Sequence, residues 1–421
     1  PAGSASGGRR GQLPGRTAVF HPPPDHVGMG DPSFLAGPEV PMSAWASLPQ
    51  IYWMIKLLIL IFLTIFLIKH SATLLISPMF LYQDDFVAYW SAARLLLTGG
   101  NPYDPSQVLR IEREEAGVPW TEPLMFWNPP WIIFILLPFG ILNYQFSRVI
   151  WFIMHIFAIA TSVYGLWKIY GGSRKNILLA WLFAFFFVPT LVMIRYGQSA
   201  ILVLLSLTGF IYFARYQRWS LAGVSLILAT VKPHLVYLVL GWIVLYIIRN
   251  RIWSLGVTWI GPIIGITALF AWRYPALFTE FFRVHIERSP AYLATFTIGA
   301  WLRMHIDPNN NFIQFIPTLI AVLSFLLTEA IFKTKRNPYY HIQRLTLISL
   351  LTTPFGWLHD QVISLIIIIP AFLRSFNLIT NVLLITAYFL MNILMIFAVE
   401  QTRYAWIIAI LILLYLISKI K

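Results

Sequence analysis

The stretch RYGQSAILVLLSLTGFIYFARYQRWSLAGVSLILATVKPHLVYLVL (residues 195–240) decides the fold. It holds two apolar runs, 199–215 and 219–231, and opens a third at 234–249. Its polar residues are confined to three turns: RYGQ at Arg195–Gln198, the bases Arg215 and Arg218, and VKPH at Val231–His234. Consecutive apolar runs broken only by short turns predict membrane helices, because a helix satisfies its own backbone polar groups in lipid. Basic turns face the cytoplasm. The bases at 215 and 218 therefore lie inside, and RYGQ and VKPH lie outside.

The same pattern runs along the chain. Its 421 residues are 58% hydrophobic and 11% charged, whereas soluble domains carry about a quarter charged residues. Further apolar runs fall at 53–77, 146–168, 176–194, 252–272, 312–332, 341–353, 361–374, 377–397 and 403–418. Arg174/Lys175, Arg249/Arg251, Lys333/Lys335/Arg336, Arg374 and Lys419/Lys421 alternate onto the side of Arg215/Arg218. The spacing predicts an all-α polytopic membrane protein of about twelve transmembrane helices with both termini inside. Residues 129–142 (PPWIIFILLPFGIL) fall short of the roughly 20 residues a span needs and are expected to form a re-entrant or half-crossing helix.

Residues 1–50, with nine prolines and eight glycines, have no helical or strand period. They are expected to be disordered, or to precede a start at Met42, with 51–421 as the integral-membrane domain and 53–77 as a retained signal anchor. The net charge of +14 fits cytoplasmic loops beside membrane lipids and excludes nucleic acid as the expected partner. The absence of cysteine rules out disulfides and thiolate metal or redox chemistry.

The opposite face carries the candidate chemistry. The first outer loop, 78–127, has seven acids against three bases, and a second covers 273–311. Asp84 and Asp85 open a stretch expected to form an amphipathic helix, in which Asp85 and Tyr89 share a face by the i, i+4 rule. Either the pair caps a solvated helix, or one carboxylate is aimed at an outward cavity. Lys232 ends a short span before a proline, where a lysine needs a partner, such as a phosphate, or snorkels to the interface. His234 beside it has an ordinary interfacial reading. His359 and Asp360, in TTPFGWLHDQ (352–361), stand at another outer helix start, where Asp360 is equally readable as a cap. Arg195, Tyr196 and Gln198 fall at the same depth. No third acid stands at fixed spacing from DDF, so neither a metal nor another cofactor is expected.

Four runs occur in order: DFVAYWSAARLLLTGGNPYD (85–104), FWNPPWIIFILLPFGIL (126–142), the stretch 195–240, and TTPFGWLHDQVISLIIIIP (352–370). Together they resemble glycosyltransferase family 87 of the GT-C superfamily, over most of residues 80–370. The resemblance implies an inverting, membrane-embedded transferase of the bacterial or archaeal plasma membrane, working on the periplasmic or exterior face. It implies transfer of a hexose, commonly mannose, from a polyprenyl-phosphate donor to a lipid or glycan acceptor. The family's outer-loop aspartate maps onto Asp85, with Asp84 the extra acid, and its late histidine maps onto His359. Such chemistry asks for a general base, and for cations beside the departing phosphate, a role open to Lys232, Arg195 or His359. A transporter or flippase would instead show repeat symmetry and charges at the membrane midplane, and a glycan polymerase or ligase an Arg/His-rich late loop such as 273–311.

Overall fold

The computed structural model describes residues 65, 85–287, 295, 297–331, 338–373, 378–397 and 407–417. The stretch 1–50, the expected span at 53–77 apart from residue 65, Asp84, Arg288 and the bases at 333, 335, 336, 374, 419 and 421 lie outside the described residues. Among the described residues the chain is helical, with no strand. In chain order the first helices are α1 (Phe86–Leu97), α2 (Pro105–Glu114), α3 (Ile132–Ile141), α4 (Tyr144–Ile169), α5 (Ile177–Phe185), α6 (Val188–Tyr196), α7 (Ala200–Arg215), α8 (Trp219–Leu226) and α9 (Tyr237–Asn250). They continue as α10 (Trp253–Arg273), α11 (Ala276–Glu287), α12 (Ile298–Ile306), α13 (Ile316–Ile331), α14 (Pro338–Thr352), α15 (Leu365–Leu373), α16 (Leu378–Phe397) and α17 (Ile407–Ile417). Short 3₁₀ turns, among them Ile227–Val231, Pro233–Val236 and Leu358–Ser364, link or extend them.

Helices coincide with the apolar runs of the sequence, yet few are long. Four described stretches are long and apolar enough to cross a membrane: Tyr144–Ile169, Pro233–Asn250, Trp253–Arg273 and Asn311–Ile331. The pair Arg174–Phe185 and Val188–Tyr196, bent by 65°, makes a fifth if taken as one span. That is fewer than the twelve expected. The remaining apolar helices stop early: α7 has 16 residues, about 24 Å at 1.5 Å per residue, against a hydrocarbon core of about 30 Å. Residues 129–142 yield only the ten-residue α3, with Pro138 inside it. Their lengths are set by punctuation, including Pro189 at the start of α6, Gly197 at its end and Pro233 after Lys232. The long helices leave apolar side chains uncovered: Leu319, Ile320, Leu323 and Leu327 on α13 are all exposed. Such a surface suits lipid, and the apolar helices fit an integral membrane protein.

The contacts sort the helix ends into two sets. Arg215 at the end of α7 donates to Ile169 O at the end of α4 (2.5 Å), and Trp219 at the start of α8 meets Tyr246 near the end of α9. Arg249 pairs with the buried Glu329 at the end of α13 (2.5 Å). The turns 197–199, 231–234 and 357–360 converge instead with the start of α1, at the other ends of these helices.

Helix α1 departs from the amphipathic reading. Phe86, Val87, Ala88 and Leu95 point in different directions around it, and all are buried. Apart from Arg94, its sequence FVAYWSAARLLL is almost without charge, and a helix apolar all round is buried all round. Phe86 stacks on Trp151 of α4 (5.1 Å between ring centroids) and meets Phe139 of α3 edge-on. Gly140 lets α3 lie close: a Cβ there would come within 2.8 Å of Ala93 C and Arg94 N. Helix α2 is the sided one, with Val108, Ile111 and Glu112 buried beneath its solvent face.

Candidate active site

Three turns and one helix start build the site. Gly197 ends α6 in the left-handed region (φ 67°), a conformation that favours glycine. Its carbonyl accepts from Trp151 Nε1 (2.7 Å), and the next carbonyl, of Gln198, meets His155 Nε2 (2.9 Å). Helix α4 thus clamps the RYGQ turn and fixes the Gln198 side chain. The VKPH turn is held by the NPPW segment. Asn128 Nδ2 donates to Val231 O (2.7 Å) and Trp131 Nε1 to Thr230 Oγ1 (3.2 Å).

Gln198 is the hub. Its Nε2 donates to Asp85 Oδ2 (2.6 Å), and its Oε1 accepts from Tyr89 OH (3.0 Å) and Lys232 Nζ (2.8 Å). Tyr89 also meets Ser199 Oγ (3.1 Å). Lys232 Nζ then donates to Asp360 Oδ1 (2.7 Å) and lies 3.5 Å from His359 Nε2. Asp360 Oδ2 accepts from the Trp357 backbone N–H (2.9 Å), so one oxygen caps its turn while the other pairs with lysine. Lys232, His359 and Asp360 are buried. Such an ion pair persists because each charge has a partner; either one alone would be costly.

Asp85 sits at the other end of this chain of hydrogen bonds, with Trp120, Glu122, Pro123, Leu124 and Tyr196, around a cavity of ≈ 310 Å³. Burial pushes the Asp85 carboxyl up to about 6, while the Gln198 hydrogen bond and the charge of Lys232 pull against it. A carboxylate of that basicity at a cavity wall can take a proton near neutral pH.

The expected residues divide by position. Asp85, Tyr89, Gln198, Lys232, His359 and Asp360 form one connected group. Arg195 lies beside it, its guanidinium 5.5 Å from the Tyr196 ring and its Nε buried without a hydrogen bond. His234 packs its ring on Phe355 (6.3 Å), and its buried Nε2 has no hydrogen-bond partner. Asp84 lies outside the described residues. Among the described residues no three His, Asp or Glu side chains are grouped to hold a metal ion. Sequence reasoning passed over Ser199, Asn128 and His155. Only His155 carried a local signal, as an ionisable side chain inside a long apolar run.

Residues 126–353 match the family described as Glycosyltransferase family 87, more than half of the chain. The chain belongs to glycosyltransferase family 87. As a glycosyltransferase it acts on a sugar donor and an acceptor. The family match takes in Arg195, Gln198, Lys232 and His234, and stops short of Asp85 on one side and of His359 and Asp360 on the other. The three flanking residues are joined to the matched core by the hydrogen bonds of Gln198 and Lys232. No curated protein and no solved structure matches the chain.

Proposed function

We propose that this glycosyltransferase moves a hexose, mannose by family resemblance, from a polyprenyl-phosphate donor to a hydroxyl of a lipid or glycan acceptor. The reaction runs at the outer, periplasmic or exterior face of a bacterial or archaeal plasma membrane, in a GT-C-type bundle whose short helices bring polar turns below the membrane surface. The single observation that carries the reading is Asp85: a carboxyl raised to about 6 at a cavity wall, one oxygen held by Gln198.

The acceptor oxygen attacks the anomeric carbon on the face opposite the phosphate. The bond from that carbon to the phosphate oxygen breaks, and its electron pair stays on the phosphate. The hydroxyl proton passes to Asp85. One displacement inverts the anomeric configuration. A phosphate leaves as a stable anion and needs cations rather than a general acid. Lys232 supplies the charge on that side of the site and His359 a ring nitrogen beside it, although the Lys232 charge is matched by Asp360 at 2.7 Å. Arg195, beside Tyr196 and with an unpartnered Nε, is the cation left to meet the phosphate. His234 adds a polar atom there. Tyr89, Gln198 and Asp360 position these groups, and Asp84, the neighbour of Asp85 in sequence, is the extra acid.

The test is a panel of radiolabelled polyprenyl-phosphate hexoses offered to the detergent-purified chain with a membrane-lipid extract. Transfer from the mannosyl donor, with the product's anomeric configuration opposite to the donor's, is the expected result. Retained configuration sinks the single displacement. Movement of intact donor lipid across the bilayer of reconstituted vesicles, without transfer, is the outcome a flippase would give.

A further inference from the structure

The wall of the Asp85 cavity has a composition of its own. Beside Asp85 it holds a second carboxylate, Glu122, two aromatic rings, Trp120 and Tyr196, and no cation. Lys232, with His359 3.5 Å from it, lies beyond Gln198 on the far side of the base, and Arg195, whose guanidinium is 5.5 Å from the Tyr196 ring, is not in the cavity lining. A phosphate set between Asp85 and Glu122 would meet two like charges, whereas hydroxyl groups would meet two acceptors. Aromatic rings suit the C–H faces of a carbohydrate, which are apolar although its edge is not.

This wall is built rather than loose. Residues 118–124 have no regular structure, yet helix α2 holds them at both ends. Arg113 Nε donates to Trp120 O (2.6 Å), Glu112 O accepts from Val118 N (3.0 Å), and the buried Glu112 Oε2 accepts from Leu124 N (3.2 Å). The backbone of the strap is held by these bonds beside the cavity that Trp120 and Glu122 line. At ≈ 310 Å³ the cavity is at the lower end of the roughly 300–1,000 Å³ seen for ligand pockets, room for one ring rather than a whole lipid.

We propose that the strap Trp120–Leu124 is the acceptor subsite, and that the acceptor enters it as an uncharged polyhydroxylated ring, a sugar or cyclic polyol, stacked on Trp120 and hydrogen-bonded to Glu122. The proposal rests on the reading of Asp85 as base, and it places the anionic donor on the Lys232 side.

The test uses synthetic acceptors with a common decyl chain and different heads: decyl glucoside, decyl phosphate and decanol. Wild type is expected to glycosylate the glucoside and to discriminate against the other two. Trp120→Ala and Glu122→Gln raise the KM for decyl glucoside about tenfold, the size a stacked ring or lost polar contact carries, and leave the donor KM within about twofold. Trp120→Tyr, which keeps a ring, recovers part of the loss. An unmoved donor KM shows that the variants are folded. Equal use of decanol and decyl glucoside by wild type, or an unchanged glucoside KM in both variants, overturns the subsite alone. Transfer by wild type that survives Asp85→Asn overturns the base, and the subsite with it.

Discussion

Replacing Gln198 with methionine keeps the volume of the side chain and removes the one hydrogen bond that Asp85 Oδ2 receives from it (2.6 Å). That bond favours the ionised carboxylate and works against the burial that raises Asp85 to about 6. A hydrogen bond to a charged group contributes about 1.5–3 kcal/mol, which at 1.36 kcal/mol per pKa unit is a shift of roughly 1–2 units. The counter-charge is not released in the variant, because Lys232 stays on Asp360 at 2.7 Å. The Asp85 carboxyl should therefore rise to roughly 7–8. A general base works only when ionised, so the acid limb of kcat/KM should move up by the same amount. The assay is sugar transfer by wild type and Gln198→Met from about pH 5 to 9, with donor held below its KM. A uniform fall in rate with the limb unmoved, or a limb displaced to lower pH, would refute the coupling.

Glu112 gives the opposite kind of test, on stability. Burial holds its carboxyl at about 8 against an ordinary value of 4.5, so the folded chain keeps a proton that the unfolded chain releases. Stability then falls as pH rises through that window, by ~5 kcal/mol at most. Glu112→Gln, which cannot ionise, should melt above wild type in detergent near pH 9 and match it near pH 5; equal melting at both ends would show that Glu112 is not held protonated. Lys232→Met strands the buried Asp360 and should cost about 3–5 kcal/mol, whereas Lys232→Met with Asp360→Leu should regain part of the melting temperature and none of the transfer. Stability of the double variant no better than that of Lys232→Met would contradict the pairing. Gly140→Ala puts a Cβ 2.8 Å from Ala93 C and Arg94 N, and overpacking of this kind costs about 1–3 kcal/mol. A lowered melting temperature is expected, and an unchanged one would show that α1 and α3 are not pressed together.

Much of this architecture is written locally. The runs between Arg195 and Leu240 mark where helices start and stop, because Gly197 and Pro233 punctuate them. The pairing of Asp85 with Tyr89 follows from helical spacing, and both reach Gln198. Three things were not legible. The all-round burial of α1 depends on α3 and α4 closing over it, so the acids ahead of Phe86 suggested a solvated face that the fold covers. The 3₁₀ turns and the 65° bend that interrupt the helices are averaged away by hydropathy, although the shortness of the span ending at Lys232 was visible. The site itself is made by contacts across 113 residues from Asp85 to Gln198 and 128 from Lys232 to Asp360, which no local pattern encodes. The NPPW segment illustrates the same limit. Its prolines read as the head of a re-entrant or half-crossing helix, and its Asn128 holds the turn that presents Lys232.

The most direct test of Asp85 as the base is transfer from radiolabelled polyprenyl-phosphate-mannose by wild type, Asp85→Asn and Asp84→Asn, with EDTA present and donor binding measured for each. Asp85→Asn should bind donor as wild type does and lose at least about a hundredfold in kcat, the loss expected when a general base is removed, while Asp84→Asn keeps most of its rate. A hundredfold loss in Asp84→Asn, with Asp85→Asn still active, would contradict the account.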